Sequence, residues 1–102
     1  MKKSLFCTSL AIVCAGAVHA GSHSNEVKIG VFLGFTGPIE STVAQMGPAA
    51  EFAVKEVNDS GLLLGGAKVS SVRADTTCID AGAATAAMER LVTADKVDGV
   101  VG

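Results

Sequence analysis

Apolar residues run almost without a break through "VKIGVFLGF", residues 27–35, and several of them are β-branched. That pattern predicts a strand covered on both faces. From residue 49 the spacing becomes helical. Ala49, Ala50, Ala53, Val54 and Val57 fall on one side of a 3.6-residue period, with Glu51, Lys55 and Asn58 pointing away. "NDSG" stops this helix, with Gly61 as its left-handed cap. The apolar loop "LLLGG" leads into "AKVSSVRAD", where Val69, Val72 and Ala74 give only partial alternation, and we read an outer strand. Asp80 is the expected N-cap of a second helix running to about Asp95, because Ala84, Ala87, Met88 and Leu91 recur at i, i+3, i+4 and i+7. "KVDGVVG" supplies a short third strand.

The start of the first helix has two readings. Thr42 and Gln45 fit a T-x-x-Q capping box. Pro48 lies six residues past Thr42 and is better placed as the first residue of a helix beginning after Gly47. A short turn from Thr42 with a kink or restart at Pro48 satisfies both.

The resulting order is β-α-β-α-β, an α/β fold. Strands joined through helices run parallel, which gives part of a doubly wound sheet. The loops after the first and second strands, residues 34–42 and 75–79, then leave the carboxyl edge of the sheet, where ligands bind in open α/β folds. Two helices cannot cover both faces of three parallel strands, and a chain of this size buries only about 60–65 % of its surface. The expectation is the front part of a larger protein.

Residues 1–20, "MKKSLFCTSLAIVCAGAVHA", pattern differently. Lys2 and Lys3 precede an apolar run that ends in Val18-His19-Ala20. This is the layout of a cleavable secretory signal, too short for a membrane span, and cleavage after Ala20 is expected. Residues 21–26 would form a flexible mature tail, and residues 27–102 the folded part.

Charge and composition narrow the partners. Eight basic residues face ten acidic ones, and loss of Lys2 and Lys3 leaves a net charge of −4. With no Trp, no Tyr and no basic cluster, nucleic acid is excluded as a partner. Hydrophobic residues make up 49 % of the chain, too many for a disordered segment.

Enzymatic chemistry finds little to use. Both histidines, His19 and His23, lie ahead of the folded part, which removes the usual general base and metal ligand. The glycines at 30, 34 and 37 miss the dinucleotide spacing, and no Walker A sequence occurs. Asp75 and Asp80 make a nominal carboxylate pair, but Asp80 is better explained as a cap. No catalytic group, metal or cofactor is therefore expected. Cys7 and Cys14 depart with the signal, leaving Cys78 either without its disulfide partner or as a buried free thiol.

Four stretches in order, "VKIGVFLGFTGPIEST", "AAEFAVKEVNDSG", "LLGGAKVSSVRADTTC" and "AATAAMERLVTADKVDGVVG", resemble the start of the periplasmic binding proteins for leucine, isoleucine and valine. These are the substrate-binding subunits of branched-chain amino acid ABC importers. The resemblance implies a two-lobed fold with a hinge, closing over one small solute, of which residues 27–102 supply the first part of the amino-terminal lobe. It implies that residues 36–42 border the cleft, which makes Thr36, Gly37, Glu40, Ser41 and Thr42 the candidate ligand-binding residues. Thr42 stands about where the family often carries a large aromatic residue, so a polar, differently shaped or larger ligand is implied. The family cysteine that Cys78 matches has its disulfide partner shortly after the third strand, beyond residue 102. The expected function is capture of an amino acid or similar small polar solute for ABC permease subunits in the periplasm. The alternative is a ligand-sensing domain of the same fold in a receptor or regulatory system.

Overall fold

The computed structural model describes residues 25–102. The expected export signal and residues 21–24 lie outside the described residues. Three strands, β1 (Glu26–Leu33), β2 (Lys68–Asp75) and β3 (Gly99–Val101), form one parallel sheet in the order β2-β1-β3. The α/β reading holds, with the unbroken apolar run at the centre of the sheet.

The register fixes the two faces. Val31 pairs with Arg73 and Gly30 with Val72, and paired residues of parallel strands project to the same side. Arg73 reaches Glu51 of helix α2 (Met46–Ser60), whereas Gly30 lies beneath Leu91 of helix α3 (Ala81–Thr93). The two helices therefore cover opposite faces. A Cβ on Gly30 would stand 2.9 Å from Leu91 Cδ1. The missing side chain lets α3 settle onto the strand, and Leu91 is 0 % exposed. Val31, 2 % exposed, lies on the other side; Val43 is also buried, as is Ala74, next to the carboxyl end of β2.

Helix α3 follows its sequence pattern closely. Asp80 caps it, Oδ1 accepting from the Gly82 and Ala83 amides at 2.8 and 3.1 Å, which satisfies two of the orphan donors of the first turn. The helix ends at Thr93, two residues before Asp95. Helix α2 ends at Gly61 with φ 64°, as expected.

The beginning and the inward face of the first helical region differ from expectation. A four-residue helix α1 (Glu40–Val43) starts before Thr42, which lies inside it and makes no capping hydrogen bond. Glu40 N donates to Gly37 O, and Val43 is buried; the turn at Gly37 and the packing of Val43 set the start, not the capping box. Helix α2 begins at Met46, so Pro48 is its third residue, not its first. It remains within the opening turn, where a missing N–H leaves no intrahelical bond unmade.

The stripe assigned to α2 is also rotated. Of the expected stripe Ala50 and Val54 are part-buried, but Ala49, Ala53 and Val57 are exposed. Phe52 is 60 % exposed, while part-buried Asn58 turns to the sheet and exposed Glu51 reaches Arg73. Asn58 Nδ2 donates to Val69 O at 2.8 Å and its Oδ1 accepts from Val69 N at 2.7 Å. Polar groups thus occupy positions that periodicity alone reserves for apolar ones. The "LLLGG" loop holds a single 3-10 turn, Leu63–Gly65.

Candidate functional site

Two loops leave the carboxyl edge of the sheet, residues 34–39 after β1 and residues 76–80 after β2, and the parallel ladder carries them out side by side. The pairing continues one step past Asp75, with Thr76 N donating to Leu33 O at 3.0 Å. Beyond that point the loops are joined by side chains and close packing.

Asp75 makes the principal connection. Its Oδ1 accepts from Thr36 N at 3.3 Å and from Thr77 N at 2.8 Å, and its Oδ2 accepts from the Thr36 hydroxyl. These hydrogen bonds, the Thr36 hydroxyl first, hold the Asp75 carboxyl below its ordinary pKa. Next to it Gly37 adopts φ 96°, and a Cβ there would stand 2.8 Å from the Thr77 carbonyl oxygen. Only glycine fits both the left-handed backbone and this approach. Thr77 and Cys78 themselves have positive φ, 55° and 60°, so the second loop turns sharply where the first leans on it.

The base of the first loop is held on both faces of the sheet. On the α2 side, Phe35 lies against Gly47 and under the Arg73 guanidinium, 5.1 Å from ring centroid to Cζ. Arg73 Nε donates to Glu51 Oε1 at 2.7 Å; that hydrogen bond lowers the Glu51 pKa and raises that of Arg73. On the α3 side Gly34 lies against Cys78 Sγ and Ile39.

The five residues expected to meet a ligand divide into two groups. Thr36 and Gly37 are engaged with the second loop through Asp75 and Thr77. Glu40, Ser41 and Thr42 lie on α1 with their side chains exposed. Cys78 is a free, exposed cysteine, which removes the buried-thiol reading; its sulfur is 3.3 Å from Thr76 Oγ1. A largely apolar recess of 630 Å³ opens on the α3 side, walled by Phe32, Leu33, Ile39, Cys78, Ile79 and Ala84 among others. None of the five expected residues lines it, and of the first loop only Gly34 and Ile39 reach it. Sequence reasoning weighed Asp75 only as half of a carboxylate pair. Its partner Thr36 is 39 residues away, and no local signal ties the two.

Among the described residues no group of three or more His, Cys, Asp or Glu side chains is placed to hold a metal, and no helix is long and apolar enough to cross a membrane.

Comparison with known proteins adds to this geometry. A family model described as periplasmic binding protein matches residues 26–102. The chain is 32 % identical over 102 residues to the Leu/Ile/Val-binding protein homolog 7 of Brucella suis biovar 1 (strain 1330), an alignment covering 100 % of this chain and 24 % of that protein. Proteins of the same name from Brucella melitensis biotype 1 (strain ATCC 23456 / CCUG 17765 / NCTC 10094 / 16M) and Brucella abortus (strain 2308) match with the same identity and the same shares. The chain thus spans about a quarter of the length of the curated relatives it matches. With a parallel β-α-β-α-β sheet and a match running through every described element, the chain belongs to the periplasmic binding protein family.

Proposed function

We propose that this chain contributes to the capture of a small polar solute of amino acid type, in the periplasm, for delivery to the permease subunits of an ABC importer. Residues 27–102 would form the first part of the amino-terminal lobe of a two-lobed protein, following a cleaved signal at residues 1–20. The solute would lie between the lobes, with residues 36–42 forming one border of its cleft. No bond is made or broken in this role; binding and closure do the work.

One observation carries the reading. The family match spans every described element, and both long loops leave the carboxyl edge of one parallel sheet, tied together through Asp75. That edge is the ligand-binding side of open α/β folds. The names of the relatives direct the choice of solute toward leucine, isoleucine and valine. The exposed hydroxyls of Ser41 and Thr42 widen it to more polar or bulkier amino acids.

The test is calorimetric titration of the product of the complete reading frame, purified from the periplasm. The panel comprises leucine, isoleucine, valine, serine, threonine and glutamine. Saturable one-to-one binding of at least one of them is expected. Absence of a binding isotherm with all six overturns the proposal.

A further inference from the structure

We propose that Asp75 is the positioning residue of the ligand border, a latch whose carboxylate holds the first loop against the second through Thr36. This rests on the solute-capture reading and deepens it by naming what sets the shape of that border.

The geometry assigns the role to Asp75 in particular. It is the last residue of β2, the strand paired with β1 along its whole length, so its main chain is fixed by the sheet. Its two carboxylate oxygens take the Thr36 amide, the Thr36 hydroxyl and the Thr77 amide, one donor set from each loop. Hydrogen bonds to a charged acceptor are stronger than neutral ones. A fixed anion at the strand end therefore converts the order of the sheet into order of two loops that have no ladder of their own. The packing beside it is too close to allow a substitute arrangement. Gly37 stands against the Thr77 carbonyl, and Gly34 against Cys78 Sγ. Release of Thr36 would let residues 36–39 lift from Thr77 as a unit, carrying α1 and its exposed Glu40, Ser41 and Thr42 with them. The Thr36 hydroxyl is on this account a structural donor to Asp75, and direct contact with solute falls to the residues of α1.

Four variants of the complete protein test this: Asp75→Ala, Thr36→Val, Thr36→Ser and the Asp75→Ala/Thr36→Val double. Amide exchange is followed at Thr36, Gly37 and Thr77, with the β1–β2 ladder amides as the internal reference. Affinity is read by titration with whichever of the same six amino acids the wild type binds most tightly. Asp75→Ala and Thr36→Val should each speed exchange at Thr36 and Gly37 while leaving the ladder unchanged. Thr36→Val should weaken binding about tenfold, the loss expected of one charge-assisted hydrogen bond, and Asp75→Ala, which removes all three accepted hydrogen bonds, by at least as much. The double variant should be no weaker than the worse single, and Thr36→Ser should behave as wild type. A role in stability alone would lower the melting temperature but leave affinity and the exchange ratio between loop and ladder in place.

Unchanged exchange at Thr36 in both Asp75→Ala and Thr36→Val overturns the latch. So does faster exchange with unchanged affinity, or fully additive losses in the double variant. If Asp75→Ala fails to fold, Thr36→Val, which keeps the carboxylate, carries the test. A wild type that binds none of the six amino acids counts against the solute reading, and the latch is then decided by exchange alone.

Discussion

Gly37 and Asp75 show how much of the contact between the first two loops depends on single atoms. At Gly37 the backbone is left-handed and the Thr77 oxygen occupies the space a Cβ would need, so a side chain is excluded twice over. At Asp75 the determinant is charge. The carboxyls of Asp75 and Glu51 are both held below their ordinary values, the first by the Thr36 hydroxyl and the Thr77 amide, the second by Arg73. A depressed folded-state pKa contributes stability that is present above the unfolded value and lost as pH falls through the folded one. Stability should therefore be level from neutral pH down to about 5 and decline below about 4, the ordinary carboxylate range. Chemical denaturation across that interval should show a shallower decline for Asp75→Asn, which cannot be protonated there. An equal slope in the two proteins would remove Asp75 as a contributor.

The elements differ in how far local sequence determined them. Helix α3 was legible to within two residues, because Ala84, Ala87, Met88 and Leu91 repeat on one face and Asp80 precedes it as its cap. Asp80→Ala leaves the Gly82 and Ala83 amides without their acceptor and should destabilise the complete protein by about 1 kcal/mol. The denaturation midpoint should fall with the slope unchanged. Helix α2 was legible in extent and only partly in orientation, Ala50 and Val54 being half-buried and Ala49, Ala53 and Val57 exposed. Periodicity sorts residues by polarity, yet here the sheet presents polar demands of its own, the Val69 main chain and the Arg73 guanidinium. Asn58 and Glu51 answer them from the inward side, and Phe52 is turned out. Helix α1 was misplaced for a related reason. Its start is set by the turn at Gly37 and by burial of Val43, contacts made with parts of the chain that a capping motif does not report.

At the scale of the whole described region the core is thin. Its buried hydrophobic residues are Val31, Val43, Ala67, Ala74 and Leu91, four of them small or medium-sized and one large side chain, Leu91, fully enclosed. Phe52, Leu62, Leu64 and Ile79 are largely exposed. Residues 25–102 produced alone should melt over a broad range without a sharp calorimetric peak, since the apolar area they bury is small against the chain entropy lost. A narrow two-state transition would show that three strands and two helices suffice. The parallel strands, the outer place of β2 and the shared carboxyl edge were legible in the sequence, because alternation of strands with helices permits few arrangements. The tie between Thr36 and Asp75 was not, since it depends on parallel register bringing together residues 39 apart.

Asn58 has a consequence for growth of the sheet. The Val69 N–H and C=O point away from β1, toward the open flank of β2, and both are taken by the Asn58 amide; farther along the same flank the Arg73 carbonyl accepts from Arg90 Nη2 at 2.7 Å. Side chains from the two covering helices thus stand in for a neighbouring strand. At Val69 and Arg73 they occupy main-chain groups that an incoming chain would need for edge-to-edge association.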